Sequence, residues 1–141
     1  MSPHRIAAFA AVAVVGAAIA VGLYLSGSPA EQRLLRLDER RVADLRSLSN
    51  ALGHHVAETG RLPETLDALV DGRRLTRLPT DPATHEPYAY VVTGSYAFEL
   101  CADFSRESSA SMQGDFWSHG AGRTCFSFDY SDLRRPSSAA R

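Results

Sequence analysis

The residues in this 141-residue chain whose side chains could do chemistry are two cysteines, five histidines and a scatter of serines and carboxylates. Cys101 and Cys125 come first, because a thiol pair can cross-link, bind a soft metal or exchange electrons, and spacing separates these roles. They are not in a C-x-x-C arrangement, which removes the usual signature of redox catalysis. His54 and His55 are adjacent, and neighbours on a helix point about 100° apart. With His85, His119 or either cysteine they give no H-E-x-x-H or C-x-x-C spacing, so no zinc site is expected. His55 is read as a partly packed helix residue, and His85 and His119 as exposed loop residues. The serines near Gly120 and Gly122 lack the nucleophile-elbow pattern, and no glycine-rich phosphate loop is present. No constellation supports an enzyme.

The elements that position these residues follow from periodicity. In the segment from residue 31 to about residue 58, Leu34, Leu37, Val42, Leu45, Leu48, Leu52 and Val56 recur at three- to five-residue steps between charged residues, which is an amphipathic helix. Ser28 before Pro29 is its cap and Gly60 its stop. Residues 62–70 read as a short helix, with Pro63 near its start and Leu66, Leu69 and Val70 on one side. The prolines from 79 to 87 then exclude regular structure and predict an ordered surface loop. Three strands follow, at residues 88–92, 96–104 and 124–130, the first two joined as a hairpin through Thr93-Gly94-Ser95. The loop over 105–122 is rich in serine and glycine; its one aromatic pair, Phe116-Trp117, either anchors it on the sheet or offers a partner contact.

Alternation puts Tyr96, Phe98, Leu100, Ala102 and Phe104 on one face of the second strand, and Cys101 with Glu99 and Asp103 on the other. In the third strand, Cys125 shares its face with Ser127 and Asp129. If these strands pair, opposed residues carry Cβ atoms about 4.5 to 5.5 Å apart, close enough for a Cys101–Cys125 disulfide. The alternative is two free thiols in a cytoplasmic protein, but free cysteine prefers burial and both lie on a polar face. A disulfide belongs to an oxidising compartment.

Residues 6–25 carry no charge, and as a helix they extend about 30 Å, the thickness of a bilayer core. They are expected to contact membrane lipid as a single transmembrane helix. A cleaved signal peptide ending after Ala30 competes with this reading, although its apolar region usually has about 7 to 15 residues. Arg33, Arg36, Arg40 and Arg41 follow the span and only Arg5 precedes it. Taken literally, that distribution puts the domain in the cytoplasm, whereas the cysteines put it in the periplasm. All 15 cations are arginine and 16 acids balance them, so no basic face points to nucleic acid.

The expected organisation is a tail (1–5), a transmembrane helix (6–25), a linker (26–30), an α+β domain (31–130) and a disordered tail (131–141). The domain would pack the long and short helices on a three-stranded antiparallel sheet. This plan resembles the type IV pilin-like fold. Gly60-Arg61-Leu62-Pro63 with Leu66 and Leu69, then Leu78-Pro79-Thr80-Asp81-Pro82, then Pro87-Tyr88-Ala89-Tyr90, is similar in order and spacing to the major pseudopilins of type II secretion systems. The resemblance covers residues 45–104. It stops short of the leader, because residues 1–5 run into Ile6 without a junction glycine and residues 6–25 hold no glutamate. The prepilin peptidase motif is thus missing.

The resemblance implies a non-enzymatic, membrane-anchored protein acting through contacts with an unidentified envelope partner, at the inner membrane with its domain in the periplasm. It also implies calcium in the loop after the second strand, where Asp103, Ser105, Glu107 and Asp115 offer oxygen ligands. Solvated polar residues are the other reading of those four. A second function class is a small secreted or periplasmic binding module released after Ala30.

Overall fold

The computed structural model describes residues 3–26, 28–72, 75–109 and 114–131. They form two α-helices, α1 (Pro3–Ser26) and α2 (Pro29–Thr59), a 3₁₀ turn (Leu66–Leu69), and strands β1 (Ala89–Val92), β2 (Ala97–Phe104) and β3 (Gly122–Asp129). The chain divides into two compact units, Met1–Leu34 and Leu35–Arg141.

In the first unit, α1 starts at Pro3, so residues 3–5 of the expected tail are helical. Its apolar side chains are exposed along its length, from Ile6 and Phe9 to Val21 and Leu23. It is long and apolar enough to cross a membrane. The first turn of α2 shows why the break after α1 is short. The Ser28 hydroxyl accepts the Glu31 N–H at 3.2 Å, and the Glu31 carboxylate accepts the Ser28 N–H at 3.4 Å. This reciprocal capping satisfies two helix-end donors, with proline at the first helical position where its missing N–H costs nothing. Pro29 and Ala30, expected in a linker, therefore belong to the helix.

In the second unit the fold is α+β. The sheet has order β1-β2-β3, antiparallel throughout, with Leu100 opposite Tyr90 on one side and Phe126 on the other. The inner face of the sheet meets the apolar stripe of α2, and Leu45, Leu48, Leu52, Phe98 and Leu100 are fully enclosed. The stripe starts later than its leucines imply: Leu34 is exposed, and Asp38 and Arg41 hold the buried positions a turn or two before Leu45. Gly60 ends α2 at φ 73°, a conformation that suits a residue without Cβ, and its N–H bonds the Val56 carbonyl at 2.8 Å.

The short helix contracts to the 3₁₀ turn. Leu66 and Leu69 are buried, but Val70 is exposed, because the turn ends at Leu69 with extended backbone at Val70. Pro63 is buried ahead of the turn and Leu62 is half-buried. The C-terminal tail beyond Ser131 lies outside the described residues.

Candidate functional site

Cys101 and Cys125 are directly opposed in the β2–β3 register, with Cα atoms 4.0 Å apart, and are joined as a disulfide. The bond lies on the outer face of the sheet, away from α2. Beside it the Ser127 hydroxyl donates to the Glu99 carboxylate at 3.1 Å. The two residues are not equally open: both lie on the outer face as expected, but Cys125 is exposed and Cys101 is buried. Cys101 sits in the central strand, flanked by Ala89 on β1 and Cys125 on β3, and neighbours on both sides cover it. Glu99, Cys101 and Cys125 are the one group of potential metal ligands within mutual reach among the described residues, at 4.8 Å or less. Its sulfurs are already bonded to each other, so it offers no thiolate.

A second cluster joins α2 to both long loops. The Arg41 guanidinium donates to Asp81 through Nε at 2.6 Å and Nη2 at 3.1 Å. Its Nη1 reaches Asp38 at 2.6 Å and the Ser105 hydroxyl at 2.9 Å. Asp38 also accepts the Ser105 and Arg106 N–H groups, each at 2.9 Å. Asp81 accepts the Ala83 and Thr84 N–H groups at 2.8 and 3.0 Å, which fixes the proline-rich loop as an Asx turn. Arg41, Asp38 and Asp81 are all buried. Burial on its own would push the Asp81 carboxyl up, but the hydrogen bonds from Arg41, Thr84 and Ala83 outweigh it and hold the group down at about 2. The same Asp81 contact pushes Arg41 up from its ordinary value.

The other residues of the Gly60–Tyr90 pattern lie further along the chain. Tyr88 is buried, and its hydroxyl donates to Asp44 on α2 at 2.9 Å; burial first, and that carboxylate second, push the phenol well up. Tyr90 is half-buried and donates to the Pro63 carbonyl at 3.0 Å, which ties β1 to the segment before the 3₁₀ turn. Pro82 is half-buried, and Pro87 is exposed in an isolated bridge to Thr80. Local sequence thus builds the turn, and a distant arginine locks it.

The four oxygen donors considered for calcium are engaged separately or spread apart. Ser105 serves Arg41 and Asp115 pairs with Arg46 at 3.7 Å, while Asp103 and Glu107 are exposed. A cation does sit at the start of this loop, but it is the Arg41 guanidinium, held by two carboxylates and a hydroxyl. Asp38 and Arg41 are the buried cluster residues that apolar periodicity missed. The available signal was their spacing: Asp38, Arg41, Leu45, Leu48 and Leu52 form one continuous stripe, and two charges on it must be paired to be buried.

His119 departs from its expected exposure. It is buried with its ring stacked on Phe104, centroids 3.6 Å apart. Its N–H donates to the Ser108 hydroxyl at 3.2 Å and its carbonyl accepts the Ser108 N–H at 2.9 Å, so the pair clips the loop shut. Trp117 lies on Phe126 and Phe128 at 4.9 and 5.8 Å between ring centroids, with Arg46 5.4 Å above the indole. The aromatic pair anchors the loop, with Phe116 still exposed. His55 is half-buried and His85 exposed, as read from the sequence.

Comparison with family models, with curated proteins and with solved structures finds no match for this chain.

Proposed function

We propose that this chain is a single-pass, membrane-anchored, pseudopilin-like envelope protein, non-enzymatic and acting through protein contacts in or beside a type II secretion-like apparatus. α1 inserts in the inner membrane and the α+β domain works in the periplasm. One observation carries the reading: an exposed apolar helix of 24 residues precedes a domain whose outer sheet face is closed by a disulfide. The local pattern from Gly60 to Tyr90 supports the pilin-like assignment, since its Asp81 and Tyr88 tie the proline-rich loop and the start of the sheet to α2 and its Tyr90 ties β1 to Pro63.

The second reading, release after Ala30, is disfavoured by the capping geometry. Cleavage there would cut the first turn of α2 and remove Ser28, whose hydroxyl holds the Glu31 N–H.

The test is labelling with a membrane-impermeant maleimide in intact and permeabilised cells, before and after reduction. Labelling of Cys101 and Cys125 only after reduction, without opening the inner membrane, is the expected result. Free labelling that requires opening that membrane would put the domain in the cytoplasm and end the secretion-linked reading.

A further inference from the structure

The α+β unit carries a groove of about 740 Å³ between α2 and the segment over residues 75–85. Arg40 and Ser47 line it from α2, and Arg77, Leu78, Pro79 and His85 from the opposite wall. None of the three ion pairs formed among the described residues involves a residue that lines it. Among the described residues, Arg40 and Arg77 have no carboxylate within salt-bridge reach. The groove's one carboxylate, Asp44, is hydrogen-bonded by the Tyr88 hydroxyl. Two guanidiniums from different elements thus face one concave surface, with His85 and the Ser47 hydroxyl beside them and apolar carbons of Leu78 and Pro79 between.

The wall is held rigid from behind. His85 adopts φ 62°, a conformation few side chains take, and its N–H is fixed on the Asp81 carbonyl at 2.8 Å while Asp81 is locked by Arg41. A preformed, cationic, partly apolar groove loses little entropy on binding and selects for carboxylates, which arginine meets in a planar two-oxygen geometry.

We propose that this groove docks an acidic segment of a partner protein, with Arg40 and Arg77 as its charge contacts. This deepens the reading that the chain works through protein contacts and rests on it.

The experiment uses the purified full chain in neutral detergent and a short fluorescein-labelled peptide of alternating glutamates and leucines, followed by anisotropy. The peptide is expected to bind, and Arg40→Gln and Arg77→Gln are each expected to weaken it about three- to fivefold, the upper range for an exposed charge pair. Arg33→Gln and Arg123→Gln, outside the groove, are expected to leave binding unchanged. Circular dichroism of each variant checks that the fold is retained. No binding, or equal losses in all four variants, overturns the proposal. Displacement of the peptide by inorganic phosphate, or by phosphatidylglycerol micelles at matched charge, also overturns it, since the groove would then be a small-anion or lipid site. The binding is read on isolated protein and sidedness in cells, so failure here leaves the topology reading standing, and the reverse.

Discussion

Arg41 is one side chain on which three segments depend. Its guanidinium is shared between Asp38 on its own helix, Asp81 in the proline-rich loop and Ser105 after β2, and no buried side-chain N or O atom among the described residues lacks a partner. A buried ion pair of this kind contributes little net stability when whole, yet removing one partner strands the others. Arg41→Ala is therefore expected to cost about 3 to 5 kcal/mol in chemical denaturation, because it leaves two buried carboxylates facing each other's loops. The pH dependence follows from Asp81, whose carboxyl is at about 2 in the folded chain against an ordinary value of 3.8. A depressed carboxyl stabilises the fold at pH values above its unfolded pKa, and that contribution drains away as pH falls through the folded one. Denaturation followed between pH 5 and pH 2 is expected to show a loss of about 2 kcal/mol assignable to this group, and Asp81→Asn is expected to flatten that limb.

At the scale of elements, two contacts decide how the helix and strands hold together. The disulfide joins β2 to β3 across a chain separation of 24 residues, the span containing the loop anchored by Trp117 and His119. By the chain-entropy argument, closing such a loop stabilises the fold by about 3 kcal/mol. The Cys101→Ser, Cys125→Ser double variant is accordingly expected to melt about 12 to 24 °C lower, given about 4 to 8 °C per kcal/mol for a domain of this size. An unchanged melting temperature would remove the disulfide from any structural role. The other contact is Gly53 on α2, where the Tyr130 ring lies against the helix and its hydroxyl donates to the Ser49 carbonyl at 2.8 Å. A Cβ at Gly53 would stand 3.4 Å from that ring, an ordinary contact. Gly53→Ala is thus expected to stabilise the domain by up to about 1 kcal/mol through helix propensity alone, read as a raised denaturation midpoint. A larger residue there would push Tyr130 off the helix.

For the whole molecule, the question is whether α1 remains attached. The apolar side chains of α1 are exposed along its length, and the helix is long and apolar enough to cross a membrane. Mass spectrometry of protein purified from membranes is expected to show a chain that retains residues 6–25. A product beginning near Glu31 would instead establish release. The same purified chain serves the groove titration, so anchoring and partner binding are tested on one preparation.

What the sequence by itself determined was whatever rests on local periodicity and turn chemistry. Uncharged length over residues 6–25 marks the span, and the apolar positions from Leu34 to Val56 mark α2. Strand alternation put Cys101 and Cys125 on the polar faces of their strands and made a disulfide possible if those strands paired; the pairing and its register came from the structure. The bonds within the Asp81 turn were legible too, because an aspartate accepts N–H groups two and three residues on. What only the tertiary structure decided were the long-range partners of charged and polar side chains. Nothing local in Arg41 names Asp81 or Ser105, because that pairing arises where α2, the proline-rich loop and the end of β2 converge, 40 and 64 residues away along the chain. His119 is buried for the same reason: its burial comes from the Phe104 ring of a distant strand, and a composition rich in serine and glycine gives no sign of that ring.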